Sequence, residues 1–181
     1  MLLDHRSSAL MLIDLQEKLM PAMHEPAGVL RNALILLAAA GRLGVPTMVT
    51  EQYPQGLGPT VPEIGDRVQG RDIVFPKMSF SAAGEPAVMS RLRQSRRTQI
   101  VIAGVEAHVC VLQSAVALQL LGYQVFVAAD ATTSRKPASA AQAMERLRQN
   151  AVSVVTAEMV LFEWLGRAGT DEFRELSRLI R

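Results

Sequence analysis

Three side chains in this sequence are of types that can do covalent chemistry together: Asp14, Lys77 and Cys110. Cys110 is the only cysteine among 181 residues. It lies in residues 98–110, TQIVIAGVEAHVC, where an apolar β-branched run reaches a turn at Gly104 and then a thiol near the start of a helix. A helix N-terminus lowers a thiol's pKa, so a cysteine placed there is expected to act as a nucleophile. A carboxylate such as Asp14 can take the thiol proton. A lysine such as Lys77 can stabilise the thiolate and hold the carboxylate. Backbone N–H groups at the turn before the helix can hold an oxyanion. These parts suit acyl transfer through a thioester, followed by hydrolysis. Taken singly, each has a plainer job: Cys110 as a small buried apolar residue, Asp14 as a turn or cap residue, Lys77 as a surface lysine.

What joins them is the pattern of elements. Short apolar runs at residues 8–13, 45–50, 72–75, 98–103, 123–129 and 152–156 read as strands. Residues 30–43, 85–95, 107–121, 139–149, 158–165 and 170–180 read as helices between and after them. Residues 51–65, EQYPQGLGPTVPEIG, read as one long Pro- and Gly-rich loop. Strands that are continuous apolar runs, alternating with helices, predict a three-layer α/β/α sandwich on a Rossmann-like six-stranded parallel sheet, in one domain spanning residues 1–181. Sites in such sheets lie beyond the carboxyl ends of the strands. Asp14, Lys77 and Cys110 follow the first, third and fourth strands, so the topology can gather them at one edge.

Composition narrows the classes. Apolar residues make up 49%, charged residues 20% and the net charge is +2, as in an ordinary globular protein. The Arg91, Arg93, Arg96, Arg97 cluster reads as a solvated helix end, and no nucleic-acid motif accompanies it. No apolar run reaches the roughly 18 residues of a membrane span, and no export signal is visible, so the expected location is cytoplasmic. No GxGxxG follows the first strand, so no dinucleotide cofactor is expected.

LMLIDLQEKL around Asp14, FPKMSFSA around Lys77 and IAGVEAHVCVLQSA around Cys110 resemble the isochorismatase-like cysteine hydrolases, the family of nicotinamidases and N-carbamoylsarcosine amidase. The resemblance extends through VAADATTS and VVTAEMVLFEWL, from about residue 8 to 165. It implies a triad of Asp14, Lys77 and Cys110, a cis peptide between Val105 and Glu106, and an oxyanion hole formed by the N–H groups of Glu106 and Cys110. It also implies a homo-oligomer.

Two departures from the family shape the expected chemistry. Metal-binding members use an aspartate and histidines after the second strand, whereas TEQYPQGLG has no histidine, so no metal is expected. Some isochorismatases work without the cysteine, so its presence favours amide or related acyl chemistry over vinyl-ether hydrolysis. A small-molecule substrate is then expected against Gln16, Tyr53, Phe80 and His108, with Met20 and Leu57 as apolar wall. Tyr53 and Phe80 could equally anchor their loops, and His108 either faces the pocket or caps the helix. Vinyl-ether hydrolysis with Asp14 as acid, and a non-catalytic scaffold, are the rival readings.

Overall fold

The computed structural model describes residues 1–68 and 73–180. β1 (Ser8–Ile13) is buried along its whole length, as a strand covered on both faces must be. Its pleat divides the apolar run between two cores. Leu10 and Leu12 pack with Leu36, Ala40 and Trp164, while Ala9, Met11 and Ile13 pack with Leu92, Val111 and Leu118. α1 (Pro26–Leu43) starts on a proline and stops at Gly44, whose φ of 68° suits a glycine cap. By length and hydropathy α1 does meet the requirement for a membrane span, contrary to the reading from the sequence. Its Val29, Ala33, Leu36 and Ala40 are nevertheless spent on the core.

The remaining elements are β2 (Thr47–Gln52), α2 (Pro54–Leu57), α3 (Pro62–Val68), β3 (Val74–Lys77), α4 (Pro86–Ser95), β4 (Gln99–Val105), α5 (Leu112–Leu120), β5 (Gln124–Thr133), α6 (Pro137–Gln149), β6 (Ser153–Val155), α7 (Ala157–Leu165) and α8 (Asp171–Leu176). They build a six-stranded sheet in the order β3-β2-β1-β4-β5-β6, all parallel, with helices on both faces. The chain winds outward in one direction from β1 and in the other from β4. The crevice of such a sheet opens between those two strands, at their carboxyl ends.

Several boundaries differ from the sequence reading in one direction. β2, β3, β4 and β5 each run past the point where their apolar stretch stops, through Gln52, Lys77, Val105 and Thr133. A strand ends where its neighbour stops pairing, and that is not written in side-chain polarity. Asp72, assigned to the third strand, lies outside the described residues. Residues 51–65 are more ordered than one long loop, since prolines at 54 and 62 start two short helices.

Gly104 is not a turn. It lies within β4 at φ 129°, and a Cβ there would fall 2.0 Å from the carbonyl oxygen of Ile13. Only glycine allows β4 to lie this close to β1. The β4–β5 register shifts at the same place, between Ile102 and Gly104. Near the C-terminal end of the chain, Trp164 is 1% exposed and donates its indole N–H to Ser8 Oγ at 2.9 Å. Phe162 is outward and stacks at a tilt on Phe173.

Candidate active site

Asp14 is the first residue beyond β1 and has φ 53°, a left-handed conformation uncommon for a residue with a Cβ. Its N–H donates to Thr50 O at 3.1 Å, and Thr50 Oγ1 donates to Asp14 Oδ1 at 2.7 Å. Lys77 ends β3. Its Nζ lies 2.8 Å from Asp14 Oδ2, and both side chains are fully buried. The ammonium has three hydrogens. It faces four oxygens, Asp14 Oδ2, Gln52 Oε1, Ser79 O and Phe80 O, which share those three hydrogens. A carboxylate held charged in this way can act as a base.

The turn that cradles Lys77 is itself held. Glu85 Oε1 accepts from the N–H groups of Met78 and Ser79, and the Ser79 N–H bond is the main reason its carboxyl sits below the usual range. Removing Lys77 tests how much the pair matters. Lys77→Met leaves a fully buried carboxylate with only the Thr50 hydroxyl, at a cost of about 3–5 kcal/mol, or a fall in Tm of roughly 10 °C. Calorimetry checks this, and adding Asp14→Asn is expected to restore part of the loss. A Lys77→Met protein that melts with the parent would refute it.

Cys110 lies in a widened helical turn, Ala107–Val111, that runs into α5. There Glu106 O takes the N–H groups of both Val109 and Val111, at 3.1 and 3.2 Å. Wide turns of this kind occur often at functional sites. The peptide between Val105 and Glu106 is cis. Cys110 is 6% exposed, and its Sγ donates to Gln52 Oε1 at 3.9 Å.

The expectation of a lowered thiol pKa is overturned. Burial first, and the negative charge of Asp14 second, push the Cys110 thiol from its ordinary 9.0 up to about 12, with Lys77 pulling weakly the other way. Desolvation favours the neutral thiol. A thiol held neutral in this way needs proton transfer coupled to its nucleophilic attack. The sign for stability follows. A folded pKa above the unfolded one contributes stability in full below about 9, and that contribution is lost as pH rises toward 12.

The other expected site residues are placed as follows. Gln16 is fully buried. Its Nε2 donates to Gln52 O and Gly58 O, and its Oε1 accepts from Gln52 N. Both its donors are thus spent on main chain. Tyr53 and Phe80 are half-exposed, at 49% and 53%. Each is tied to Lys77 through the backbone: Tyr53 N–H donates to Lys77 O, and Phe80 O accepts from Nζ. The Tyr53 ring lies over Gly56, where a Cβ would come within 2.3 Å of it. His108 pairs its Nδ1 with Ser134 Oγ at 2.9 Å. It lines a cavity of about 280 Å³ with Glu106, Arg135, Lys136 and Ser139. Burial pushes the Glu106 carboxyl up, but hydrogen bonds from the Arg135 N–H and guanidinium outweigh this and hold it below the usual range. Met20 packs into a core, and Glu51 Oε1 is taken by the N–H and hydroxyl of Thr60. Among the described residues, no three His, Cys, Asp or Glu side chains cluster as a metal site would need.

Two residues of the site escaped the sequence reading, Thr50 and Gln52. Both contact the triad, and both are on β2. The missed signal was the carboxyl edge itself: ending that strand at residue 50 removed Gln52 from the edge that had pointed to Asp14 and Lys77.

An open parallel sheet whose buried carboxylate, ammonium and thiol meet at the switch point is the layout of an α/β enzyme with its reactive groups at the carboxyl edge. Comparison with known proteins agrees. The isochorismatase domain matches residues 8–159. Isochorismatase domain-containing protein 2 from Bos taurus is 39% identical over 176 residues, covering 97% of this chain and 83% of the relative. The structure of MAR1 ribonuclease from Caenorhabditis elegans superposes with a TM-score of 0.93 at 32% identity, covering 99% of this chain and 92% of that one. The ycaC gene product of Escherichia coli, described as an octameric hydrolase of unknown specificity, has the same fold, with a TM-score of 0.92 at 24% identity over 98% of this chain and 90% of that one. The chain belongs to the isochorismatase family and has the isochorismatase-like hydrolase fold.

Proposed function

We propose that this protein is a cysteine-dependent hydrolase of small amides or related acyl compounds. The observation that carries the reading is the buried Asp14–Lys77 ion pair, 2.8 Å apart, which keeps the carboxylate ionised in a site where Cys110 holds a neutral thiol. As Cys110 Sγ attacks the substrate carbonyl, its proton passes to Asp14. The N–H groups of Glu106 and Cys110 receive the oxyanion. Asp14 then protonates the leaving nitrogen, which departs and leaves a thioester on Cys110. Asp14 next takes a proton from water as that water attacks the thioester. The acid product leaves, and the thiol recovers its proton. Such a cycle needs no metal ligand and no cofactor from this chain.

The test uses p-nitrophenyl acetate, short primary amides and a single-stranded RNA, the last because the worm relative is described as a ribonuclease. The expected result is a burst of nitrophenol with one acetyl group on Cys110 by intact mass, and loss of burst and turnover in Cys110→Ala. Turnover of any of these substrates at the parent rate by Cys110→Ala would replace this reading. Hydrolysis by a water that Asp14 activates, with no adduct on the protein, is the form it would then take for a small substrate. Self-association belongs to the same proposal. Leu120 and Leu121, at the end of α5, are 78% and 60% exposed, and light scattering that reports a monomer would remove it.

A further inference from the structure

We propose that Gln52 is a positioning residue of this site, its side-chain oxygen shared by Lys77 and Cys110 so that the thiol stays protonated and the ammonium does not bear on Asp14 alone until substrate arrives. The inference rests on the reading of Cys110 as nucleophile and Asp14 as base, and adds to it how the resting site is kept ready.

The argument begins with the period of a strand. Residues two apart on β2 share a face, so Thr50 and Gln52 both reach the triad while Glu51 reaches Thr60 on the other side. Thr50 satisfies Asp14 Oδ1. Gln52 Oε1 accepts from Lys77 Nζ and from Cys110 Sγ. Without this acceptor, Lys77 Nζ would bear more fully on Asp14 Oδ2, 2.8 Å away, and tie down the carboxylate that must receive the thiol proton. The thiol would at the same time lose its acceptor, which favours the protonated form.

Gln52 is held firmly enough to do this. Its Nε2 donates to Met78 O at 2.9 Å, and its main chain is clamped at both N–H and C=O by the Gln16 side chain. Its orientation is therefore defined: the amide nitrogen is committed to a carbonyl, so the oxygen faces the triad. Gln52 is 8% exposed. Substrate entering beside Cys110 needs only to draw the thiol off Gln52 for Asp14 to become its proton acceptor.

The experiment reads the thiol directly, by the ultraviolet absorbance of the thiolate against pH and by the rate of iodoacetamide alkylation. In Gln52→Leu the thiol should ionise about one pH unit lower and alkylate about tenfold faster near pH 9. Its acetylation burst with p-nitrophenyl acetate should nevertheless be at least about tenfold slower, because Lys77 now bears more fully on Asp14 and weakens it as a base. Gln52→Glu adds negative charge beside the thiol and should slow alkylation. A residue that only supports the fold would lower the burst rate and Tm of both variants and leave the thiol titration in place, and that result overturns the proposal. So does movement of the titration in the same direction in both variants. If Gln52→Leu does not fold, Gln52→Glu, almost identical in shape, decides alone: alkylation at or above the parent rate ends the idea. Failure of the hydrolase reading appears separately, as turnover retained in Cys110→Ala.

Discussion

Asp14→Asn is expected to give a protein whose thiol ionises more readily and whose catalysis is nonetheless lost. After burial, the charge of Asp14 is the largest influence raising the Cys110 pKa. Asparagine removes that charge while keeping an oxygen for Thr50 Oγ1, and Lys77 keeps its acceptors at Gln52, Ser79 and Phe80. The thiolate absorbance should therefore rise at lower pH than in the parent. If turnover depended on preformed thiolate, this variant would be faster at a fixed pH near 8. The coupled transfer proposed here predicts the reverse, a loss of about 10²–10⁴ in kcat/KM, which is what removing a general base costs. The two measurements together separate the mechanisms. A variant that titrates lower and turns over faster would show the thiolate to be the working species. One whose thiol titration does not move would show that Asp14 does not act on Cys110.

A large effect on stability is expected from Gly104→Ala. Two costs coincide there. At φ 129° an alanine is strained by roughly 1–3 kcal/mol. Its Cβ would also sit 2.0 Å from Ile13 O and 2.7 Å from Ile13 N, and these are main-chain atoms of the central strand that cannot turn aside. Overpacking of this kind costs about another 1–3 kcal/mol. A total near 4 kcal/mol is a large part of the roughly 5–15 kcal/mol that stabilises a typical domain, and corresponds to a fall of about 8–16 °C in Tm. The control is Gly122→Ala, which has a φ of 91° but no atom within 4 Å of its Cβ. It carries the conformational cost without the clash. Equal melting temperatures for the two variants would show that β4 can move off β1, and that the close approach is not what requires glycine.

Both predictions concern the carboxyl edge of β1 and β4, and the two kinds of information about that edge came from different places. The strands and the helices between them were legible because burial on both faces demands continuous apolar runs such as SALMLI and QIVIAGV. Asp14, Lys77 and Cys110 were legible because each interrupts or follows such a run with a group that can do chemistry. Local pattern is enough for those statements. It was not enough for the last two residues of β2, where pairing with β3 carries the strand on through Glu51 and Gln52. Nor was it enough for Gln16, whose amide is consumed by main chain from the loop 42 residues away at Gly58. The protonation state of Cys110 was the least legible of all. A helix terminus is a local feature and pointed to an ionised thiol. Desolvation and the charge of Asp14 are sums over groups far apart in sequence, and they reverse that sign. The sequence by itself determined which reactive groups this protein owns and which edge of the sheet they share. Only the tertiary structure decided which of them holds a proton, because a proton's resting place depends on every acceptor and charge that folding brings within reach.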